Sequence, residues 1–148
     1  MATISPALPA DTTLKEVSDF QALGEAMQAK KLPLLLAFRA DYCGFCKRLE
    51  TEYLEPMAKS GDYDSRILIR TFNMGDNRTV TDFNGAKIDA EKMTHRYKVS
   101  LTPTLIFLNA DGKEIAEPLL GYNSPDFYGA YLENAIDTAH KAINEKDR

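Results

Sequence analysis

The apolar run LPLLLAF, Leu32–Phe38, is followed after four residues by the first of two cysteines, Cys43 and Cys46, and then directly by an amphipathic stretch. The run is far shorter than the roughly 20 residues a membrane-spanning helix needs, and fits a buried strand. Beyond the cysteines, Leu49, Tyr53 and Met57 share a helical face with Cys46, while Lys47, Arg48, Glu50, Thr51 and Glu52 supply the wet side. Pro56 is expected to kink or end this helix. Any fold of the chain must therefore join a buried strand to a helix start with two sulfurs at the junction.

These are the only cysteines among 148 residues. A chain of that length is one ordinary domain and can bury roughly two thirds of its unfolded surface, so it needs no disulfide framework. A bridge closing so small a loop adds little stability. Three readings stand: a reversible disulfide, half of a metal site, or inert core thiols. A structural zinc site takes four ligands, and only His95 and His140 could complete one, in a spacing unlike fingers or ribbons. Chemistry favours the disulfide. The first turn of a helix presents unpaired N–H groups and a partial positive charge, which stabilise a thiolate. Cys43 at the junction is expected to ionise below the free value of about 8.5 and to attack, with the more buried Cys46 resolving. Gly44 leaves room for a partner chain, and Phe45 offers an apolar surface.

Around this centre the pattern reads helix, strand, helix, strand, helix, strand, strand, helix. Residues 1–13 are Pro-, Ala- and Thr-rich and read as a flexible lead, with one domain over 14–148. Ser18 and Gln21 form a capping box for a helix carrying Phe20, Leu23, Ala26 and Met27, which feeds a strand at Pro33–Arg39. Arg66–Phe72 is a second strand. The polar stretch from Asn73, with its Asn84-Gly85 turn, makes a long loop or small insertion, followed by a short helix over Asp89–Tyr97. A hairpin turning at Asp111-Gly112 and ending before Gly121 comes next. Ser124 and Pro125 open a terminal helix whose core-facing pattern runs through Phe127, Tyr131, Ile136 and Ile143. Strands joined through a helix pair in parallel and the hairpin is antiparallel, which gives a mixed sheet with helices on both faces.

Three separated pieces, DYCGFC, LTPTLIFLNADGKEI and GYNSPDFYGAYLENAI, resemble the thioredoxin-fold thiol–disulfide oxidoreductases. The resemblance implies an α/β thioredoxin fold with a central mixed sheet of four to five strands. It implies that Pro103 is the family's cis-proline, facing the cysteines, with Thr102 offering backbone groups to an extended substrate. The substrate-binding set would be Tyr42, Gly44, Phe45, Thr102 and Pro103, and the catalytic pair Cys43 and Cys46. Tyr42 stands where classical thioredoxins have Trp, Phe45 where they have Pro, and Ala37 where they have a buried Asp under the second cysteine. These departures, with the long 75–89 segment, look closer to periplasmic SoxW-like thioredoxins.

With acids and bases interspersed and a net charge of −4, nothing suggests a nucleic-acid footprint or a basic membrane patch. The expected protein is a monomer that is not membrane-embedded and uses neither cofactor nor metal. Its partners are a protein disulfide substrate and an upstream thiol donor. It reduces disulfides, because no charge lies between the cysteines; oxidase or isomerase activity and a non-catalytic binding or chaperone module are the alternatives. The compartment is expected to be the periplasm, with the cytoplasm as the alternative. Asp41 and Arg39 flank the motif as a solvated or field-tuning pair, Glu50 is expected to face solvent, and His95 to be a solvated side chain.

Overall fold

The structure, a computed structural model, describes residues 14–75 and 77–145. The expected flexible lead falls outside the described residues. Five strands form the main sheet: β1 (Lys15–Glu16), β2 (Leu34–Arg39), β3 (Leu68–Asn73), β6 (Thr104–Leu108) and β7 (Glu114–Leu120), in the order β1-β3-β2-β6-β7. β2 runs parallel to β3, with Leu36 opposite Arg70, and antiparallel to β6, with Leu36 opposite Ile106. Parallel β1–β3 and antiparallel β6–β7 pairs complete the mixed sheet. It is the thioredoxin fold.

Both faces of this sheet are covered, which is why β2 reads as an unbroken apolar run rather than alternating. Leu35 and Ala37 pack with residues of α2 (Gly44–Leu49), α3 (Glu55–Ser60) and α5 (Pro125–Glu145). Leu34, Leu36 and Phe38 face the opposite layer, with Phe20, Leu23 and Met27 of α1 (Phe20–Lys30) and Met93 of α4 (Ala90–Arg96). Each such side chain, fully buried, contributes about 1.5–3 kcal/mol. β2 is thereby fixed in depth, and its last residues emerge at one end of the sheet.

Local details differ from the sequence pattern in three places, and in a fourth the structure decides between two alternatives. The cap of α1 is Asp19, not Ser18: the Asp19 carboxylate accepts from the Ala22 N–H at 3.0 Å. Ser18 instead gives its carbonyl to the Thr81 N–H. The segment after β3 is an insertion with its own hairpin, β4 (Thr79–Thr81) against β5 (Lys87–Asp89). At its tip Asp82 is buried and holds Arg96 through both carboxylate oxygens, at 2.8 and 2.6 Å.

The helix after the cysteines does not stop at Pro56. It widens into a π turn over Glu50–Leu54 and continues through α3 to Gly61, whose φ of 79° ends it. Proline has no N–H to give and its ring crowds the carbonyl one turn back; a wide turn just before it relieves both. The extra residue changes the buried positions to Leu49, Leu54 and Met57, with Tyr53 at their edge. In α5 the buried stripe is Tyr128, Leu132, Ala135, Ile136 and Ala139, while Phe127 and Tyr131 face outward, contrary to the sequence expectation. Apolar residues stand on both sides of that helix, and packing under Tyr53 and Tyr122 selects Tyr128.

Candidate active site

Beyond Arg39 the chain turns sharply, the Cys43 N–H donating to the Ala40 carbonyl at 3.2 Å. Cys43 is the cap of α2: its backbone is extended (φ −96°, ψ 105°) and its Sγ accepts from the Cys46 N–H at 3.1 Å. A helix-start amide thus points at this sulfur, the arrangement that stabilises negative charge on it. Cys43 and Cys46 are joined as a disulfide with Cα atoms 5.2 Å apart. Cys46 is 1% exposed, whereas Cys43 is half-buried. Only one of the two sulfurs is open to an incoming group.

The Thr102 carbonyl faces that sulfur, 3.6 Å from Cys43 Sγ. The Thr102–Pro103 peptide is cis. Two bonds hold this loop: Thr104 Oγ1 donates to the Leu101 carbonyl at 2.7 Å, and the Gly121 N–H donates to the Pro103 carbonyl at 2.8 Å. Around the sulfurs, Tyr42 is 91%, Phe45 53% and Leu101 44% exposed, and open space borders Gly44. Tyr42, Gly44 and Phe45 flank Cys43 along the chain, the Thr102 carbonyl faces it, and Pro103 is buried. Leu101 was not singled out in the sequence, although an apolar residue in an otherwise polar loop before Thr102-Pro103 was the available signal.

Three tyrosines brace the helix from the side. Tyr122 and Tyr128 meet edge-on with centroids 4.9 Å apart, and Tyr53 packs against both. Tyr53 Oη donates to the Pro125 carbonyl at 2.8 Å and Tyr122 Oη to Glu52. Burial, then the Glu52 carboxylate, pushes the Tyr122 phenol above its ordinary value. The phenol in turn holds Glu52 below the usual carboxylate range, aided by Arg48. Aromatic positions in loops and helix ends carry no periodic signal, so sequence reasoning missed this brace.

Glu50 is less solvated than expected. Arg39 Nε donates to Glu50 Oε2 at 2.6 Å, with side chains only 17% and 16% exposed. Glu50 thus faces inward against β2, because the terminal strand arginine reaches across to it. Burial works against the Arg39 charge, but the bonds and charges of Glu50 and Asp41 outweigh it and hold the guanidinium protonated. Asp41 accepts from Asn73 Nδ2 at 2.7 Å and from Arg39 at 3.2 Å, and lies below its ordinary value for those two reasons in that order. Ala37 is 2% exposed on the same face of β2 as Arg39, so β2 brings no carboxylate under the helix there. His95 is exposed on α4 and His140 lies towards the end of α5; among the described residues no cluster of three potential metal ligands occurs. No helix among the described residues is long and apolar enough to cross a membrane.

Residues 20–136 match the family described as thioredoxin-like domain. Among solved structures, a thioredoxin-fold protein from Helicobacter pylori is similar at 21% identity and a TM-score of 0.59, covering 89% of this chain and 78% of that one. The germline-specific thioredoxin Deadhead of Drosophila melanogaster matches at 21% identity and TM-score 0.54, over 81% of this chain and 98% of its own. Fasciola hepatica thioredoxin gives 17% identity and TM-score 0.54 with the same coverage. No curated protein matches the chain.

Proposed function

The chain belongs to the thioredoxin-like domain family, and on that footing we propose that it is a thiol–disulfide oxidoreductase that reduces disulfides in other proteins. The Cys43 thiolate attacks one sulfur of a substrate disulfide, forming a mixed disulfide and releasing the other substrate sulfur as a thiolate. Cys46, deprotonated in turn, attacks Cys43 Sγ, frees the second substrate sulfur and leaves the Cys43–Cys46 disulfide. Two electrons pass to the substrate, and an upstream thiol donor restores the dithiol.

The observation that carries this reading is the placement of the reachable sulfur: Cys43 Sγ caps a helix start and faces the Thr102 carbonyl across an apolar rim. An extended substrate segment would pair with the backbone at Thr102, over Pro103, while Tyr42, Gly44 and Phe45 line its path. The reducing direction rests on the residues between the cysteines, Gly44 and Phe45, neither of which adds positive charge to favour the thiolate. We assign the chain to the SoxW-like, periplasmic type on Tyr42, Phe45 and Ala37, as a monomer; fractionation of cells and sedimentation of the protein test those two points.

Trapping decides the central claim. Cys46→Ser is expected to accumulate covalent complexes that dithiothreitol releases, and Cys43→Ser to abolish disulfide reduction. Retention of biological activity by Cys43→Ser would instead mark a binding or chaperone module. A reduction potential nearer about −120 mV than about −270 mV would reverse the direction of exchange.

A further inference from the structure

The inward-facing ion pair beside the dithiol has no part in the exchange steps above. Arg39 ends β2 two residues beyond Ala37, and its Nε–Glu50 Oε2 bond of 2.6 Å ties that strand to the helix. The Glu50 N–H donates to the Cys46 carbonyl, so Glu50 stands one turn beyond the resolving sulfur. Side chains so related have Cβ atoms about 5–6 Å apart. Asp41, Arg48 and Glu52 also surround the motif, but their side chains are 75%, 52% and 41% exposed, and Lys47 is exposed as well. Solvent and salt screen those four. From the facing elements, Leu101, Thr102, Pro103, Thr104 and Gly121 bring no titratable side chain, and Tyr122 brings a phenol.

We propose that Arg39 and Glu50 are positioning residues whose opposed, poorly screened charges balance at the sulfurs, so that the pair sets how readily the reduced dithiol ionises. This deepens the oxidoreductase reading and rests on it for its functional meaning. While both charges are present their fields largely cancel. Removing one leaves a net charge of one sign close to sulfur, and the two removals therefore act in opposite directions. A pair that merely fastens the helix to β2 would behave otherwise, since losing either partner breaks the same tie.

The test is the pH dependence of iodoacetamide alkylation of the reduced protein, which needs no substrate. Arg39→Met is expected to raise the apparent thiol pKa by about one unit, and Glu50→Gln, which keeps an acceptor for Arg39 Nε, to lower it by a similar amount. The double variant is expected to return to within about 0.3 unit of the parent, and Arg39→Lys to stay close to it. Reduction potentials against glutathione should follow, higher for Glu50→Gln and lower for Arg39→Met. Shifts of the same sign in both single variants, or no shift in either, would overturn the proposal. Opposed shifts in a protein that fails to reduce any disulfide would leave the charge balance standing and sink the oxidoreductase reading instead.

Discussion

The Gly121 N–H donates to the Pro103 carbonyl at 2.8 Å, so the end of β7 holds the loop that faces Cys43. The neighbouring residue, Tyr122, bonds to Glu52 two turns beyond Cys43 on the helical path. The strand end, the loop and the cysteine helix are thus joined through two adjacent residues.

Gly121 has a φ of 75°, in the left-handed region, and a Cβ there would meet nothing nearer than the Asn123 side chain at 3.6 Å. Gly121→Ala is therefore expected to lose about 1–2 kcal/mol from backbone strain rather than from a clash. Denaturant unfolding measures that loss. If the residue also anchors the loop, insulin reduction at a temperature where the variant is fully folded will be slower than in the parent; an unchanged rate would confine Gly121 to a structural role.

Tyr122→Phe keeps the ring packing and removes the bond to Glu52, with an expected loss of about 1–2 kcal/mol. Because the folded phenol lies above its ordinary value of 10.0, its contribution is complete below that pH and disappears as pH rises through the folded value. The parent should accordingly lose stability above about pH 10 more steeply than Tyr122→Phe. Identical alkaline unfolding curves would contradict this.

Tyr42 and Phe45 are exposed, so Tyr42→Ala and Phe45→Ser should alter stability by less than about 0.5 kcal/mol. A several-fold increase in KM for a protein disulfide is expected, with little change for a small aliphatic disulfide. Equal losses on both substrates would place these side chains in the chemical step instead of substrate docking.

Asp82 is buried, and the bonds from Arg96, then from the Phe83 N–H, hold it below its ordinary value of 3.8. Its stabilisation is present above that pH and is lost as pH falls through the lower, folded value. Asp82→Asn is expected to destabilise the protein by about 2 kcal/mol at neutral pH and to flatten the acid limb of the stability profile. Unfolding followed by circular dichroism between pH 2 and 7 checks both.

Much of this architecture was written in pattern. Leu32–Phe38 fits a buried strand, and its residues from Leu34 onward lie in β2 with both faces covered, while the turn residues Asp111-Gly112 marked the β6–β7 hairpin. Cys43 and Cys46, with Thr102-Pro103, pointed to the site. What escaped were features without period: β1 has two residues, β4 and β5 three each, too few to alternate visibly. Asp19 and Ser18 are equally good caps by composition, and a contact with Thr81 separates them. Glu50 sits among helix positions of mixed charge and reads as solvent-facing, whereas a strand arginine eleven residues earlier draws it in.

The wide turn at Glu50–Leu54 means that the helix bearing the disulfide carries a spare residue. Deleting one residue from that turn would leave an ordinary spiral in which Leu49, Leu54 and Met57 stand four and then three positions apart on one face, so that the sulfur-bearing start and the buried side of the helix both keep their places. Gain or loss of a single residue in related chains should therefore cluster there, where length can vary without disturbing either the sulfur chemistry at the beginning or the layer between this helix and α5.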